Sequence, residues 1–458
     1  MASNPNSYAA RDSAALLHPY SNARANEKDG SLVIARGRGV YVTDDSGKDY
    51  IEGMSGLWCA ALGFGNERLA EAAARQIRTL SFYHGFNQKS HTPQIELAER
   101  LLALAPVPMS KVFFANSGSE ANDTAFKLIW YRSNAMGNPE KKKIIGRVKG
   151  YHGVTIAAAS ATGTPINHQA FDLPIDGFLH TDCPHYASSA VLGESEEQYS
   201  ERCAQNLDAL IEQEGPETVA AFIAEPVMGA GGVLIPPTGY FKKIQAVLNK
   251  HDVLMIADEV ICGFGRTGNM WGSETFNINP DIITCAKALS SGYIPISALM
   301  INDRVYQPIA EQSAEIGSLG HGFTYSGHPV AAAVALETLD IYEEMDLVEM
   351  VQAIAPALQS GILGFSDHPL IGDTDGVGLL AVAELVANKE TGDSFPADKR
   401  VGPYLLDRAL DHGLIVRALG DRIAFSPPLV ISYSEIEEMF KRFGKALDDT
   451  TKWLESGQ

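Results

Sequence analysis

The stretch Ile282-Ile283-Thr284-Cys285-Ala286-Lys287-Ala288-Leu289-Ser290-Ser291-Gly292 decides how the rest of the chain is read. An apolar run ends on one lysine and gives way to a turn of small residues. A short, continuous apolar run bounded by turn residues reads as a strand buried on both faces. The lysine then stands at a strand end, beside backbone that a ligand can approach. Burial favours the neutral, nucleophilic amine, the form that makes a Schiff base. The alternative is a lysine whose stem covers apolar surface while its head reaches solvent.

Working outward, the same pattern repeats. Apolar runs at 111–116, 143–148, 219–224, 253–257 and 296–301 read as strands. Between them lie amphipathic stretches at 121–135, 195–214 and 239–250, and upstream at 66–80, where Leu69, Ala73 and Ile77 recur every fourth residue. Thr92-Pro93 opens a further helix through Leu97, Leu101 and Leu102. Alternating strands and helices predict an α/β fold with a mainly parallel central sheet. Ligands of such sheets bind at the carboxyl ends of the strands. Glu225, Asp258 and Lys287 all fall at that end. Short strands around Leu32–Ile34, Val40–Thr43 and Tyr50-Ile51 form a small N-terminal β unit, after a polar start in which His18-Pro19-Tyr20-Ser21 breaks any helix. Beyond about residue 330 the pattern changes to a smaller α+β unit. It has helices at 330–345, 347–363 and 434–453 and strands at 379–384, 414–417 and 423–425.

With 56 acidic against 36 basic residues, the net charge of -20 argues against a nucleic-acid partner. Lys141-Lys142-Lys143 reads as a solvated loop or strand entry. Five scattered cysteines with no CxxC pair exclude a disulfide framework or zinc ribbon, and no metal site is expected. The N-terminal Asn4-Pro5-Asn6 and Arg11-Asp12 lack the apolar core of a secretory signal, and no apolar stretch is long enough for a membrane span. A cytoplasmic protein with reduced thiols is expected.

Three further segments carry chemistry. Asn116-Ser117-Gly118-Ser119-Glu120, between a strand and a helix, exposes backbone N–H groups at a positive helix end and can cradle a phosphate; a plain helix cap is the alternative. Asp258 can hold a protonated pyridine nitrogen, or cap the following turn. Tyr151 can stack on a flat ring, or fill core. Gly263-Phe264-Gly265-Arg266-Thr267-Gly268 matches a dinucleotide fingerprint, but 258–262 separate it from its strand and 269–272 start no helix, so its glycines are read as a tight loop near the ligand.

Taken in order, Ser117-Gly118-Ser119-Glu120-Ala121-Asn122, Tyr151-His152-Gly153, Ala224-Glu225-Pro226-Val227, Ala257-Asp258-Glu259-Val260 with the glycine loop after it, Ala286-Lys287 and Gly322-Phe323-Thr324-Tyr325-Ser326-Gly327-His328-Pro329 resemble the class III pyridoxal-phosphate-dependent aminotransferases of fold type I. The resemblance runs from about Ser31 to the C-terminal helix. It implies an N-terminal segment 1–60 belonging to a small domain, a large cofactor-binding domain 61–329, and a C-terminal small domain 330–458. It implies pyridoxal 5'-phosphate as cofactor. Lys287 would bind it covalently and then move the proton between substrate Cα and cofactor C4′. Asp258 would pair with the pyridine nitrogen, with Tyr151 and Val260 on opposite ring faces. Ser117, Gly118 and Ser119 would grip the phosphate, with His152 and Glu225 supporting the site. Thr324 would reach the phosphate in the neighbouring subunit, hence a homodimer.

Within that class the chain is similar to the ω-amine:pyruvate aminotransferases, through Ser55-Gly56-Leu57-Trp58 and Ile415-Val416-Arg417-Ala418-Leu419-Gly420. This implies substrate pockets walled by Tyr20, Trp58, Phe86 and Tyr151, with Arg417 as a mobile partner for a keto-acid carboxylate. Asn87 departs from members with a second aromatic there. The implied reaction is ping-pong: a primary amine gives its amino group to the cofactor and pyruvate collects it as alanine. The alternatives are a diamine, β-alanine or taurine aminotransferase, a related decarboxylase or aminomutase, and a non-catalytic protein that kept the fold.

Overall fold

Strands that are apolar without interruption form the middle of a seven-stranded sheet, in a computed structural model that describes residues 6–456. Asn4 and Pro5, and the outermost residues of the expected 1–60 and 330–458 segments, lie outside the described residues. An antiparallel N-terminal group, β1 (Ile34–Arg38), β2 (Tyr41–Asp44) and β3 (Asp49–Glu52), precedes the main sheet. The main sheet holds β4 (Lys111–Ala115), β5 (Lys143–Arg147), β6 (Phe178–Thr181), β7 (Val219–Ala224), β8 (Leu254–Asp258), β9 (Ile282–Cys285) and β10 (Ser297–Ile301), in the order β4-β10-β9-β8-β7-β5-β6. Strands β5 to β9 are parallel, whereas β10 runs antiparallel to both β9 and β4. The mainly parallel sheet expected from the sequence is the one observed. A continuous apolar run reports burial and not direction, so the reversal of β10 was not readable.

Every residue of β7, β8, β9 and β10 is buried. Side chains alternate between two faces, and each face has its own cover. Ile223 and Ile256 pack with Phe126, Ile129 and Val305, under helices Gly118–Ala135 and Asp303–Ile316. Phe222 and Met255 pack with Tyr199, Leu207 and Leu248, under Glu196–Glu214 and Tyr240–Lys250. Burying each such side chain stabilises the fold by about 1.5–3 kcal/mol. Register aligns Ala224 with Ala257 and Asp258 with Thr284. The residues that follow these strands therefore emerge at one edge.

Several boundaries differ from the sequence reading. The helix expected from Ala121 starts at Gly118, because Ser117 is its cap and its Oγ accepts the Glu120 N–H at 3.2 Å. A one-turn helix, Gly272–Thr275, does follow the glycine loop. It is held by buried Glu259, whose carboxylate accepts N–H bonds from Gly272 (3.0 Å) and Ser273 (2.6 Å), and it is too short to serve a dinucleotide. Edge strand β6, helix Asp303–Ile316 with Pro308 inside it, and helix Val401–Asp411 were not anticipated. The C-terminal part adds β11 (Ile371–Val377), β12 (Leu380–Leu385), β13 (Leu414–Ile415), β14 (Arg417–Leu419) and β15 (Arg422–Phe425). The single strand expected over 414–417 is split at Val416. β13 pairs in parallel with β3 of the N-terminal group, while β14 joins the separate sheet β11-β12-β15-β14. Arg417 thus sits where the chain crosses from one sheet to another. Among the described residues no helix is long and apolar enough to cross a membrane.

Candidate active site

Lys287 follows β9 in a left-handed conformation, φ 46°, which costs a non-glycine residue on the order of 1 kcal/mol or more. The turn after it fixes that conformation through Leu289 N–H to Ala286 O (2.9 Å) and Gly292 N–H to Lys287 O (3.1 Å). A second strained turn faces it. Ser55, Gly56 and Trp58 all have positive φ, and Trp58 is buried. The Lys287 Nζ lies 5.3 Å from the centroid of the Trp58 ring, and the Arg417 Cζ lies 5.1 Å from the same centroid. Burial pushes the Lys287 amine below the ordinary lysine range; Cys59, Asp258 and Glu225 pull it back up, and Arg417 adds to the fall. Arg417 is half-buried and forms no ion pair among the described residues, and burial lowers its pKa against the pull of Tyr151 and Tyr20.

Asp258 ends β8 and is buried. Its Oδ2 accepts two N–H groups, from His152 Nδ1 at 2.8 Å and from Asn122 Nδ2 at 2.9 Å. Its Oδ1 accepts the Val260 N–H at 3.2 Å. Because Nδ1 of His152 faces a carboxylate it carries the proton, which leaves Nε2 buried without a partner. Glu225, one strand over, binds the Tyr151 N–H at 3.0 Å through Oε1 and the Gly229 N–H at 2.9 Å through Oε2. Burial raises the Glu225 pKa. Its two oxygens tie the turn carrying Tyr151 to the loop after β7.

The start of helix Gly118–Ala135 points at the same edge. Its first turn leaves the N–H groups of Gly118 and Ser119 without intrahelical partners. Gly118 is needed for space: a Cβ there would stand 3.0 Å from a methyl of Val260. Gly153, at φ 134°, lets the 151–153 turn approach, since a Cβ would stand 2.5 Å from the Ser119 Oγ. That oxygen also accepts the Val154 N–H at 3.1 Å. Unfilled N–H groups at a positive helix end, small residues around them, and a buried carboxylate opposite a desolvated amine can hold a phosphorylated aromatic aldehyde.

The structure brings together Lys287, Trp58 and Arg417; Asp258, His152 and Val260; Glu225 and Tyr151; and Gly118, Ser119 and Val260. It adds Asn122, buried on the helix face it shares with Ala121, Ala125, Phe126 and Ile129; the residue stands in the Ser117–Asn122 motif, but the sequence reading gave it no role. Tyr20 and Phe86 are exposed, and Ser117 and Thr324 are exposed as well. Tyr20 accepts the Asn167 Nδ2–H at 2.5 Å. Phe86 is seated on the loop that carries Thr324, where a Cβ on Gly322 would meet its ring at 3.1 Å. Asn87 has φ 54°, a conformation asparagine tolerates better than an aromatic residue does. Among the described residues one cluster has metal-ligand spacing, Asp208, Glu212 and His251. Asp208 and Glu212 lie on helix Glu196–Glu214 and His251 follows helix Tyr240–Lys250 just before β8, at the end of that strand opposite Asp258, and the Lys250 ammonium already lies 2.8 Å from Asp208.

Residues 23–447 match the sequence profile of the family described as aminotransferase class-III. The chain is 52% identical over 425 residues to the chloroplastic gamma aminobutyrate transaminase 3 of Solanum lycopersicum, spanning 93% of this chain and 82% of that protein. It is 56% identical, with a TM-score of 0.97, to the crystal structure of the ω-transaminase of Pseudomonas jessenii in complex with PMP, covering 99% of this chain and 100% of that one. The same TM-score and identity, over 98% and 100%, relate it to a thermostable ω-transaminase variant, W58M/F86L/R417L, engineered for enantiopure bulky amines. Other relatives are named vanillin aminotransferase, in Capsicum, and mitochondrial gamma-aminobutyrate transaminase, in tomato and rice. The chloroplastic and mitochondrial relatives overturn the expected cytoplasmic location. A search for an apolar core tests only the secretory route, because organelle transit peptides are polar and amphipathic.

Proposed function

The chain belongs to the class III aminotransferases, and from that premise we propose that it moves the amino group of a primary amine, with no need of an α-carboxylate, to pyruvate. It is a pyridoxal-phosphate enzyme that exchanges amino groups between an amine and a keto acid. Bound pyridoxal phosphate supplies the electron sink and carries the amino group between the two half-reactions. In this reading Lys287 is the covalent anchor and the base that moves the proton from substrate Cα, and its desolvated amine suits both tasks. Asp258 holds the pyridine nitrogen. Gly118 and Ser119 hold the phosphate, with Ser117 capping their helix. Val260 and Tyr151 hold the two ring faces, while Glu225 and His152 keep Tyr151 and Asp258 in place.

The observation that carries the substrate reading is Arg417. A half-buried guanidinium, 5.1 Å from the Trp58 ring and without an acidic partner among the described residues, is poised for a planar carboxylate. A donor panel with pyruvate tests it: alanine should form from aliphatic or aryl amines, and no alanine from any amine would remove the proposal. Arg417→Ala is expected to lower kcat/KM for pyruvate roughly 10- to 100-fold, the size of a lost charge-assisted bond, and to leave the half-reaction with a neutral amine within about 3-fold. Equal losses in both would refute the role. The tomato relative favours a second reading, with γ-aminobutyrate as donor. Half-reaction rates with γ-aminobutyrate against a neutral amine separate the two.

The exposed aromatics Phe82, Tyr83, Phe86 and Tyr325 make one apolar surface, with Phe82 and Tyr325 rings 5.6 Å apart. Such a surface fits a second copy of the chain. A homodimer would bring Thr324 to the partner's phosphate and, because Phe86 rests on the same loop, carry Phe86 with it as a pocket wall opposite Trp58 and Tyr20. Thr324→Ala is then expected to weaken cofactor binding roughly 3- to 10-fold, as for one lost hydrogen bond, with the dimer intact by sedimentation. An unchanged affinity would count against the trans contact.

A further inference from the structure

We propose that Asn122 is the positioning residue that sets the orientation of the Asp258 carboxylate and ties the Tyr151-bearing turn to the helix of the phosphate cradle. The inference rests on the pyridoxal-phosphate reading. Asn122 is completely buried, one helical turn after Gly118. Its Nδ2 donates both of its protons, one to Asp258 Oδ2 at 2.9 Å and one to the backbone oxygen of His152 at 2.7 Å. Both partners only accept, so the amide can sit one way round. Its Oδ1 is left buried and unpartnered.

That orphan oxygen is the informative feature. An unmet buried acceptor costs about 1–3 kcal/mol. A leucine would avoid it, match the apolar face and form helix more readily. It would, however, leave the His152 carbonyl without this donor and Asp258 Oδ2 with one donor in place of two, so the asparagine is explained by its two donated bonds. With His152 Nδ1 at 2.8 Å, the Asn122 amide fills Asp258 Oδ2 and leaves Oδ1 as the oxygen with room for a cationic N–H. The second bond fixes the carbonyl between Tyr151 and Gly153, hence the turn that brings Tyr151 to the ring and Gly153 to Ser119. One side chain thus sets three grips on the same ligand against each other.

The test uses purified holoenzyme with Asn122→Leu, and with Asn122→Ala in case the larger side chain fails to fold. Two quantities are read: the dissociation constant of pyridoxal phosphate, and the visible circular dichroism per bound cofactor, which reports how firmly the ring is held. Both variants should bind about 10- to 100-fold more weakly, the range of a lost bond to a charged group, and show a reduced visible signal per cofactor. The far-ultraviolet spectrum should match the wild type. Wild-type affinity, or weaker binding with an undiminished signal per bound cofactor, would make Asn122 a packing residue and overturn the proposal. A wild-type enzyme with no visible band would instead overturn the aminotransferase reading.

Discussion

Lys287→Ala is expected to abolish turnover, by about 10⁴-fold or more, and to remove the visible absorbance of the lysine-bound cofactor. The size follows from the two roles proposed for this one amine. Covalent anchoring is lost outright, and proton transfer at substrate Cα loses its base. The surroundings are built for that amine: a strained backbone at φ 46°, the Trp58 ring 5.3 Å away, and burial that lowers its pKa. The sign of the pKa shift also predicts the effect on folding. An amine whose pKa falls on folding weakens the fold at any pH below its unfolded value, near 10.4, and the penalty fades as pH rises. Alanine removes that penalty, so thermal stability of the cofactor-free chain at neutral pH should hold or rise. A small external amine should restore part of the proton transfer. Full turnover with an intact visible band would take Lys287 out of the mechanism.

The parts of this architecture that were legible in the sequence are those where burial writes a pattern. The strands ending at Glu225, Asp258 and Lys287 are apolar on both faces, so their ends, and the edge they share, are legible in the sequence. Elements that break a pattern were hidden. β11 carries Gly372, Asp373, Asp375 and Gly376 and is half-exposed; β6 is an edge strand; Pro308 interrupts the period of its helix. Trp58 was legible only through family resemblance, because a turn through three left-handed residues leaves no periodic trace. Arg417 was hidden in the same way: its position depends on the chain leaving one sheet for another at Val416, a tertiary choice. Asn122 stands in a family motif, yet its role was not legible. A polar residue on an apolar helix face reads as a local defect until the carboxylate it serves, 136 positions away, is seen beside it.

Asp258→Asn is expected to cut turnover by about 10³-fold while leaving cofactor affinity within about 10-fold of wild type, a split that follows from the bonds around the carboxylate. Oδ2 accepts from His152 Nδ1 and Asn122 Nδ2, so an amide at this position must keep its oxygen there to avoid setting N–H against two N–H groups. Its NH2 then takes the place of Oδ1, beside the Val260 N–H and toward the pyridine nitrogen. The polarity of the grip is inverted: an anion that stabilises a protonated pyridine becomes a donor to an unprotonated one. The ring is still bound, but it no longer draws electrons from the reacting carbon. Asp258→Ala differs, since it leaves the His152 and Asn122 donors buried without acceptors, at about 1–3 kcal/mol each, and should lose stability and cofactor together. Nitrogen-15 NMR of labelled cofactor gives the deciding measurement: the pyridine nitrogen should be protonated in the wild type and unprotonated in Asp258→Asn. A protonated nitrogen in the variant, or turnover within about 10-fold of wild type, would show that the charge of Asp258 is not what the reaction draws on.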